Sequence, residues 1–269
     1  MKFKDLIEYL DEIYPKSLSM PGDADGVDVC VDYNIEIGGV LLALDVTLGA
    51  IEYAKAHAYN CILSHHAMIY APINKLDVNA GTGAKKAAML ARADICAAAF
   101  HTRLDGVGGG VNDCLLAMLG LKNTDILYDA DNLPMGRICD FDYEISVADF
   151  AGLADNALKQ FFKEHFNFNI KGCVKFTNGN HKIKKLAAVS GSGMSFINYA
   201  AKAGADTFFT GEAKFYDILA ARENYNISVI TAGHFETEAT VLPEIKRAVL
   251  AQFPNTRINY FIDNYGGLI

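Results

Sequence analysis

Cys61-Ile62-Leu63-Ser64-His65-His66 is a short apolar run that ends in two adjacent histidines. A run of this length predicts a buried strand. Because successive side chains of a strand point to opposite faces, both imidazoles can converge only where the chain turns, just past the strand's carboxyl end. Imidazole is the commonest metal ligand among side chains, so the pair indicates a metal site, with a chance pair on a surface turn as the alternative.

Other predicted strands place donor groups in the same kind of position. Strands over 40–44 and 95–100, separated by helices, indicate a parallel sheet with helices on both faces. Ligands of open α/β sheets bind at the carboxyl ends of strands. The sequence has four of its seven histidines at or just beyond such ends: His65, His66, His101 and His234. Carboxylates share these ends: Asp105 and Glu238, with Asp45 and Glu212 as further candidates.

A second α/β pattern begins near Asp125. Strands are predicted over 140–145, 172–177, 186–189, 207–209 and 227–231. A last strand, over 258–262, is expected to return to the sheet that carries His65. The sequence therefore predicts two α/β domains, the first over residues 1–125 with 239–269 and the second over 126–238.

The composition excludes several classes of partner. With 24 basic and 32 acidic residues the net charge is 24 − 32 = −8, which argues against nucleic acid and anionic membranes because phosphate binding needs a basic surface. The six cysteines lie far apart, without a C-x-x-C pair, as expected for reduced thiols. The sequence has no apolar run of about 18 residues and opens on an amphipathic pattern rather than a signal peptide. We therefore expect a cytoplasmic protein without a membrane partner.

The candidate donors exceed the needs of one ion, since a catalytic zinc takes three protein ligands. A mixed set of imidazoles and carboxylates suits two divalent ions about 3.5–4 Å apart, bridged by a carboxylate and by water or hydroxide. His234 and Glu238 are spaced i, i+4, so a helix there aims both side chains the same way, while Glu236 points elsewhere. A set without thiolates suits zinc, iron, manganese or cobalt and does not distinguish them.

Several sequence blocks carry a family resemblance. They are Leu42-Ala43-Leu44-Asp45-Val46-Thr47, Ser64-His65-His66, His101-Thr102-Arg103-Leu104-Asp105, Gly110-Val111-Asn112-Asp113, Gly136-Arg137-Ile138, Gly191-Ser192-Gly193, Thr210-Gly211-Glu212 and Gly233-His234-Phe235-Glu236-Thr237-Glu238. In this order they resemble the Nif-three-like dinuclear metal-centre proteins, also known as the GTP cyclohydrolase I type 2 homologue family. The resemblance spans nearly the whole chain.

The resemblance implies a specific architecture. It implies the Nif-three-like fold, two α/β/α sandwich-like domains with a dinuclear metal site in the cleft between them, assembled as a homohexamer (a trimer of dimers). The implied cofactors are two divalent ions per chain, zinc, iron or manganese. The implied ligands are His65, His66, Asp105, His234 and Glu238, with Glu238 bridging. His101 is implied to be a nearby non-ligand that supports the ligands or acts in acid–base chemistry.

The functional hypothesis is a metal-dependent hydrolase. A metal-bridging hydroxide would attack a phosphate- or nucleotide-like small molecule, which fits the GTP cyclohydrolase label. His101 and Glu212 are the candidates for carrying the proton. Arg103 and Lys214 are candidates for binding an anionic substrate, with solvated surface cations as the alternative. The rival hypothesis is a non-catalytic metal-binding protein, a metal store or an adaptor (scaffold) for other proteins.

Overall fold

Helices and strands alternate along most of the chain. The structure is a computed structural model that describes residues 1–79 and 81–263. The strands are β1 (Gly26–Val29), β2 (Val40–Ala43), β3 (Cys61–Ser64), β4 (Cys96–Ala99), β5 (Asp125–Leu127), β6 (Gly136–Asp140), β7 (Lys175–Phe176), β8 (Lys185–Val189), β9 (Thr207–Thr210), β10 (Ser228–Thr231) and β11 (Ile258–Phe261). The helices are α1 (Phe3–Ile13), α2 (Leu48–Ala56), α3 (Thr82–Arg92), α4 (Thr102–Gly106), α5 (Val111–Met118), α6 (Val147–Phe166), α7 (Ile197–Lys202), α8 (Phe215–Tyr225), α9 (His234–Glu238) and α10 (Leu242–Gln252).

The chain divides into two compact units. Among the described residues, unit 1 comprises Met1–Leu104 and 242–263, and unit 2 comprises Asp105–Val241. The sequence placed these boundaries at 125/126 and 238/239. The first boundary lies earlier in the structure because α5 contacts β6, β8, α6 and α9 of unit 2. Residues 264–269, predicted from the sequence to belong to the first domain, lie outside the described residues.

Unit 1 is built on a five-stranded sheet with the order β1-β4-β3-β2-β11. The four strands from β4 to β11 are parallel, and every residue of β2, β3 and β4 is buried. Such continuous apolar runs are typical of parallel strands covered on both faces. The edge strand β1 is antiparallel to β4 and was not expected, because its sequence, Gly26-Val27-Asp28-Val29, lacks an apolar run.

The chain turns at the end of β3, and hydrogen bonds of Ser64 and of the main chain stabilise this turn. The Ser64 hydroxyl donates to the His66 carbonyl over 2.8 Å, and the His66 N–H donates to the Leu44 carbonyl at the end of β2 over 3.0 Å. The Ser64 carbonyl accepts from the Phe100 N–H over 3.0 Å, just past β4. These contacts tie the three strand ends together and allow both histidines to leave the strand on one side.

Unit 2 is built on a six-stranded mixed sheet with the order β5-β6-β8-β9-β10-β7. Strands β8, β9 and β10 are parallel, whereas β5, β6 and β7 pair antiparallel. The predicted strand over 140–145 is wrong, since β6 ends at Asp140, and the strand predicted over 172–177 shrinks to Lys175–Phe176. The charged Arg137 inside β6 interrupts the apolar pattern that marks a strand.

Two fully buried polar side chains fix the chain around Asp105 in unit 2. Arg137 is 1% exposed and binds the Asp113 carboxylate through Nε and Nη2, each over 2.8 Å. Its Nη2 also donates to the carbonyls of Gly106 and Val107. The amide of Asn112 donates to the carbonyls of Asp105 and Met135 and accepts from the Ser190 N–H. These bonds connect the segment that carries Asp105 to the end of β8.

Among residues 1–79 and 81–263, no helix combines the length and the apolar character needed to cross a bilayer.

Candidate metal centre

Two imidazoles at the end of β3 are oriented by oxygen atoms of unit 1. His65 Nδ1 lies 3.0 Å from the Phe100 carbonyl oxygen, and His66 Nδ1 lies 2.9 Å from Asp45 Oδ1. Because carbonyl and carboxylate oxygens only accept, each Nδ1 must carry the proton and donate. The lone pair of each neutral ring is then on Nε2, the atom that binds a metal. Such hydrogen bonds are the usual means of orienting metal-binding histidines.

His101 is oriented in the same way at the end of β4. Its Nδ1 lies 2.8 Å from Asp23 Oδ1. The other oxygen of Asp23 accepts from the N–H and the hydroxyl of Thr102, over 3.1 and 2.5 Å. Burial alone would raise the pKa of Asp23, but the hydrogen bonds from His101 and Thr102 outweigh it and hold this pKa well below its usual value. Asp23 is therefore a fixed negative charge beside His101.

The structure brings these three imidazoles together. Each offers one ring nitrogen, and the three nitrogens lie within 4.8 Å of one another. The ring centroids are separated by 4.9 Å for His65 and His66, 5.2 Å for His65 and His101, and 5.5 Å for His66 and His101. His101 thus belongs to the cluster by geometry, and its assignment as a non-ligand stays a prediction.

In unit 2 the predicted pair His234 and Glu238 lies on α9. His234 Nε2 is 3.1 Å from Glu238 Oε2, and its Nδ1 is 3.1 Å from Glu212 Oε1. Glu212, expected as a proton carrier, is thus placed to orient His234, and its catalytic role stays a prediction. Glu236 turns away, with its carboxylate against Gly233, and burial raises its pKa.

Glycines at three strand ends make room for α9. A Cβ on Gly191 would overlap Glu238 Oε1 and lie 3.1 Å from His234 Nε2. A Cβ on Gly211 would lie 2.9 Å from the His234 Cα atom. Gly191 and Gly233 also have positive φ angles, +57° and +83°, which favour glycine. The glycines of the sequence blocks therefore allow the close approach of the imidazole and the carboxylate.

Asp105 lies on the short helix α4. Its carbonyl accepts from the Asn112 amide over 3.1 Å, and its side chain is partly buried. The roles of Asn112 and Arg137 were not predicted from the sequence, although both residues lie in the sequence blocks quoted above. A buried Asn or Arg is recognisable only once its partners are known.

Arg103 was expected either to bind an anionic substrate or to be a solvated surface cation, and both expectations are wrong. Its side chain is 1% exposed, so it is neither solvated nor directed at a substrate. The guanidinium binds Asp25 through Nε and Nη2, over 3.0 and 2.8 Å, and Asp11 through Nη1, over 2.6 Å. It also lies over the Phe100 ring at 4.6 Å. Arg103 therefore supports the start of α4, whereas Lys214 is exposed as the alternative predicted.

The donors in both units fit divalent metal ions. In unit 1 they are three imidazole nitrogens, in unit 2 the donors on α9 are an imidazole nitrogen and carboxylate oxygens, and the described groups of close donors contain no thiol. Nδ1 of each of the four imidazoles lies within hydrogen-bond distance of an oxygen, which makes Nε2 the nitrogen that can take a metal ion or a second proton. Nitrogen and oxygen donors suit zinc, iron and manganese.

Comparisons with known proteins agree with this fold. The sequence model of the Duf34/NIF3 (NGG1p interacting factor 3) family matches residues 1–264. A curated relative from Clostridium perfringens (strain 13 / Type A), the "GTP cyclohydrolase 1 type 2 homolog", is 30% identical over 253 residues, 93% of this chain and 91% of the relative.

Two solved structures are also similar. Staphylococcus aureus protein SA1388 has a TM-score of 0.80 at 25% identity, with 98% of this chain and 97% of that chain covered. Reduced HcgD from Methanocaldococcus jannaschii has a TM-score of 0.77 at 28% identity, with 97% of each chain covered. The predicted α/β fold with two domains is confirmed.

We expect Gly191→Ala to lower the free energy of unfolding more than Gly204→Ala. Both glycines have positive φ, so alanine costs about 1–2 kcal/mol at either position. A Cβ on Gly204 meets open space, whereas one on Gly191 overlaps the Glu238 carboxylate. Urea denaturation of both variants measures the difference. Equal losses would contradict the placement of Glu238 beside Gly191.

Proposed function

The chain belongs to the Duf34/NIF3 (NGG1p interacting factor 3) family, and on this basis we propose that it is a divalent-metal-binding protein that acts as a metal-dependent hydrolase. The observation that carries the proposal is the common orientation of its site imidazoles. Nδ1 of His65, His66, His101 and His234 lies in each case within hydrogen-bond distance of an oxygen. That pattern is typical of histidines that bind a metal through Nε2.

The proposed ligands of two divalent ions are His65, His66, Asp105, His234 and Glu238, with zinc, iron or manganese as the metal. Glu238 is the proposed bridging ligand. Its side chain is 7% exposed, and its two oxygens have different neighbours, Oε2 facing His234 and Oε1 facing Gly191. A buried carboxylate whose two oxygens face separate neighbours supports this role.

The proposed chemistry is hydrolysis. Bound divalent ions supply a water of lowered pKa and neutralise developing negative charge. His101 is the residue proposed to move a proton: Asp23 accepts from its Nδ1, and its Nε2 would accept or return another proton. The carboxylate of Glu212 is half-exposed and aligns His234.

The proposed substrate is a phosphate- or nucleotide-like small molecule. This proposal is based on the name of the relatives, GTP cyclohydrolase 1 type 2 homolog. The net charge of −8 disfavours nucleic acid as the substrate. We also propose that the chain self-associates, with the homohexamer, a trimer of dimers, as the expected assembly.

Purified without chelator or added metal, the wild-type protein should contain about two divalent ions per chain by elemental analysis. Glu238→Gln keeps the shape of the side chain but removes its charge, so we expect the metal content to fall below half. Glu164→Gln, on the exposed face of α6, is the matched control and should retain the metal. A wild-type protein that stays metal-free after addition of zinc, iron or manganese would refute the proposal.

Glu212→Ala should weaken metal binding by about 10–100-fold, because the His234 ring loses the oxygen that orients it. Competition with a chelator measures the dissociation constant, and Glu164→Ala serves as the control. Glu212 is half-exposed, so the fold should survive, which a thermal melt verifies. Unchanged affinity together with lost turnover would instead assign Glu212 to proton transfer.

Turnover distinguishes the hydrolase from its rival. We expect the metal-loaded protein to hydrolyse at least one member of a panel of nucleoside triphosphates that includes GTP, as followed by chromatography and phosphate release. Chelation should abolish the activity, and His101→Gln should reduce it by about 10²-fold or more if the residue moves a proton. Full metal content without turnover on any phosphate substrate would favour the metal store or adaptor.

A further inference from the structure

Three cysteines that lie far apart in the sequence meet on neighbouring strands of unit 1. Cys61 begins β3 and Cys96 begins β4, and the parallel register pairs the two residues. Cys30 directly follows β1. Because β1 is antiparallel to β4 and pairs Val29 with Ala97, the next residue, Cys30, lies opposite Cys96. Paired residues share a face of the sheet, so the register aligns three thiols across β1, β4 and β3.

The first two thiols of this row are placed to form a bond with each other. The side chains of Cys30 and Cys96 interact through a hydrogen bond, which agrees with the register. Opposite residues of an antiparallel pair have Cα atoms about 4.5–5.5 Å apart. A disulfide requires about 4.4–6.8 Å between the same atoms. The strand pairing therefore allows a disulfide without a movement of the backbone.

The three thiols differ in their access to solvent. Cys61 and Cys96 are 0% exposed, which is typical of cysteines that serve as small apolar residues. Cys30 is partly exposed, so an oxidant in solution reaches Cys30 first and Cys96 lies beside it. Burial, the Cys96 thiol and the Asp32 carboxylate raise the pKa of the Cys30 thiol to about 11. Its thiolate is therefore scarce at neutral pH, and its oxidation is slow.

Strand β1 also supports the chain near the end of β3. It is an edge strand, and all four of its residues are only partly buried. The Asp28 carboxylate accepts from the N–H groups of Met68 and Ile69, each over 3.0 Å, in the segment that follows His66. A covalent bond at Cys30, two residues after Asp28, would therefore fasten both the edge strand and its contact with this segment.

We propose that Cys30 is a site of oxidation by hydroperoxides and that Cys96 resolves the oxidised thiol by forming a disulfide. The Cys30 thiolate attacks one peroxide oxygen, the O–O bond breaks, and Cys30 becomes a sulfenic acid while the other oxygen leaves as water. The Cys96 sulfur then attacks the Cys30 sulfur, the S–O bond breaks, and a second water leaves. In total two thiols lose two electrons and two protons, and one hydrogen peroxide becomes two waters. The inference is independent of the proposed hydrolase, because neither thiol is a proposed metal ligand.

A peptide map of the oxidised protein tests the bond. After prolonged incubation of the folded full-length chain with hydrogen peroxide, and alkylation in denaturant, digestion without reductant should release Cys30 linked to Cys96. Cys96→Ala should instead accumulate oxygen on Cys30, because the resolving thiol is missing. Cys114→Ser, at another partly exposed thiol, is the matched control and should still form the bond. Absence of the linked peptide, or a disulfide from Cys30 to any other cysteine, would overturn the proposal.

Hydrogen exchange followed by mass spectrometry tests whether the bond fastens β1. The amides of residues 26–29 should exchange several-fold more slowly in the oxidised wild type than in the reduced protein, because local opening of the edge strand is restricted. A dithiol reductant should restore the original rate. Cys30→Ser treated with the same oxidant should show no change, and peptides of α6 provide an internal reference. Equal rates in the oxidised and reduced wild type would contradict the fastening.

Discussion

The hydrogen bond from imidazole Nδ1 to an oxygen is the interaction on which the candidate site depends. A neutral imidazole has a single N–H, so the acceptor that takes it also decides which nitrogen is left to bind a metal. The acceptors differ: the Phe100 carbonyl serves His65, and Asp45 and Asp23 serve His66 and His101. All of them lie at or near strand ends, so the register of the parallel sheet sets the directions of the rings.

The two units differ in how the chain is packed at the ends of their strands. In unit 1 polar side chains such as Ser64 and Asp23 reach into the turns and bind the main chain or a neighbouring hydroxyl. In unit 2 side chains are absent where the space is needed, at Gly191 and Gly211. Unit 1 thus depends on specific hydrogen bonds, whereas unit 2 depends on the close approach of backbones. This difference explains why glycine recurs in the sequence blocks that belong to unit 2.

Local patterns predicted those parts of the fold and the site that depend on neighbours in sequence. The apolar runs of β2, β3 and β4 and the polar residues after them were correctly recognised, as was the spacing of His234 and Glu238. The edge strand β1 and the buried state of Arg103 were missed. Both depend on contacts between distant segments, since Asp25 meets Arg103 from 78 residues away. The sequence around a charged residue does not indicate whether that residue will be buried with a partner from a distant segment.

The two buried arginines show what such partners do. Arg103 precedes Asp105 by two residues and is fixed within unit 1, whereas Arg137 binds the carbonyls of Gly106 and Val107 within unit 2. A buried ion pair adds little net stability, because the cost of removing both charges from water offsets their attraction. Its hydrogen bonds, however, are satisfied in one arrangement. We therefore interpret the two arginines as residues that define the path of the chain on both sides of Asp105, the carboxylate proposed above as a metal ligand.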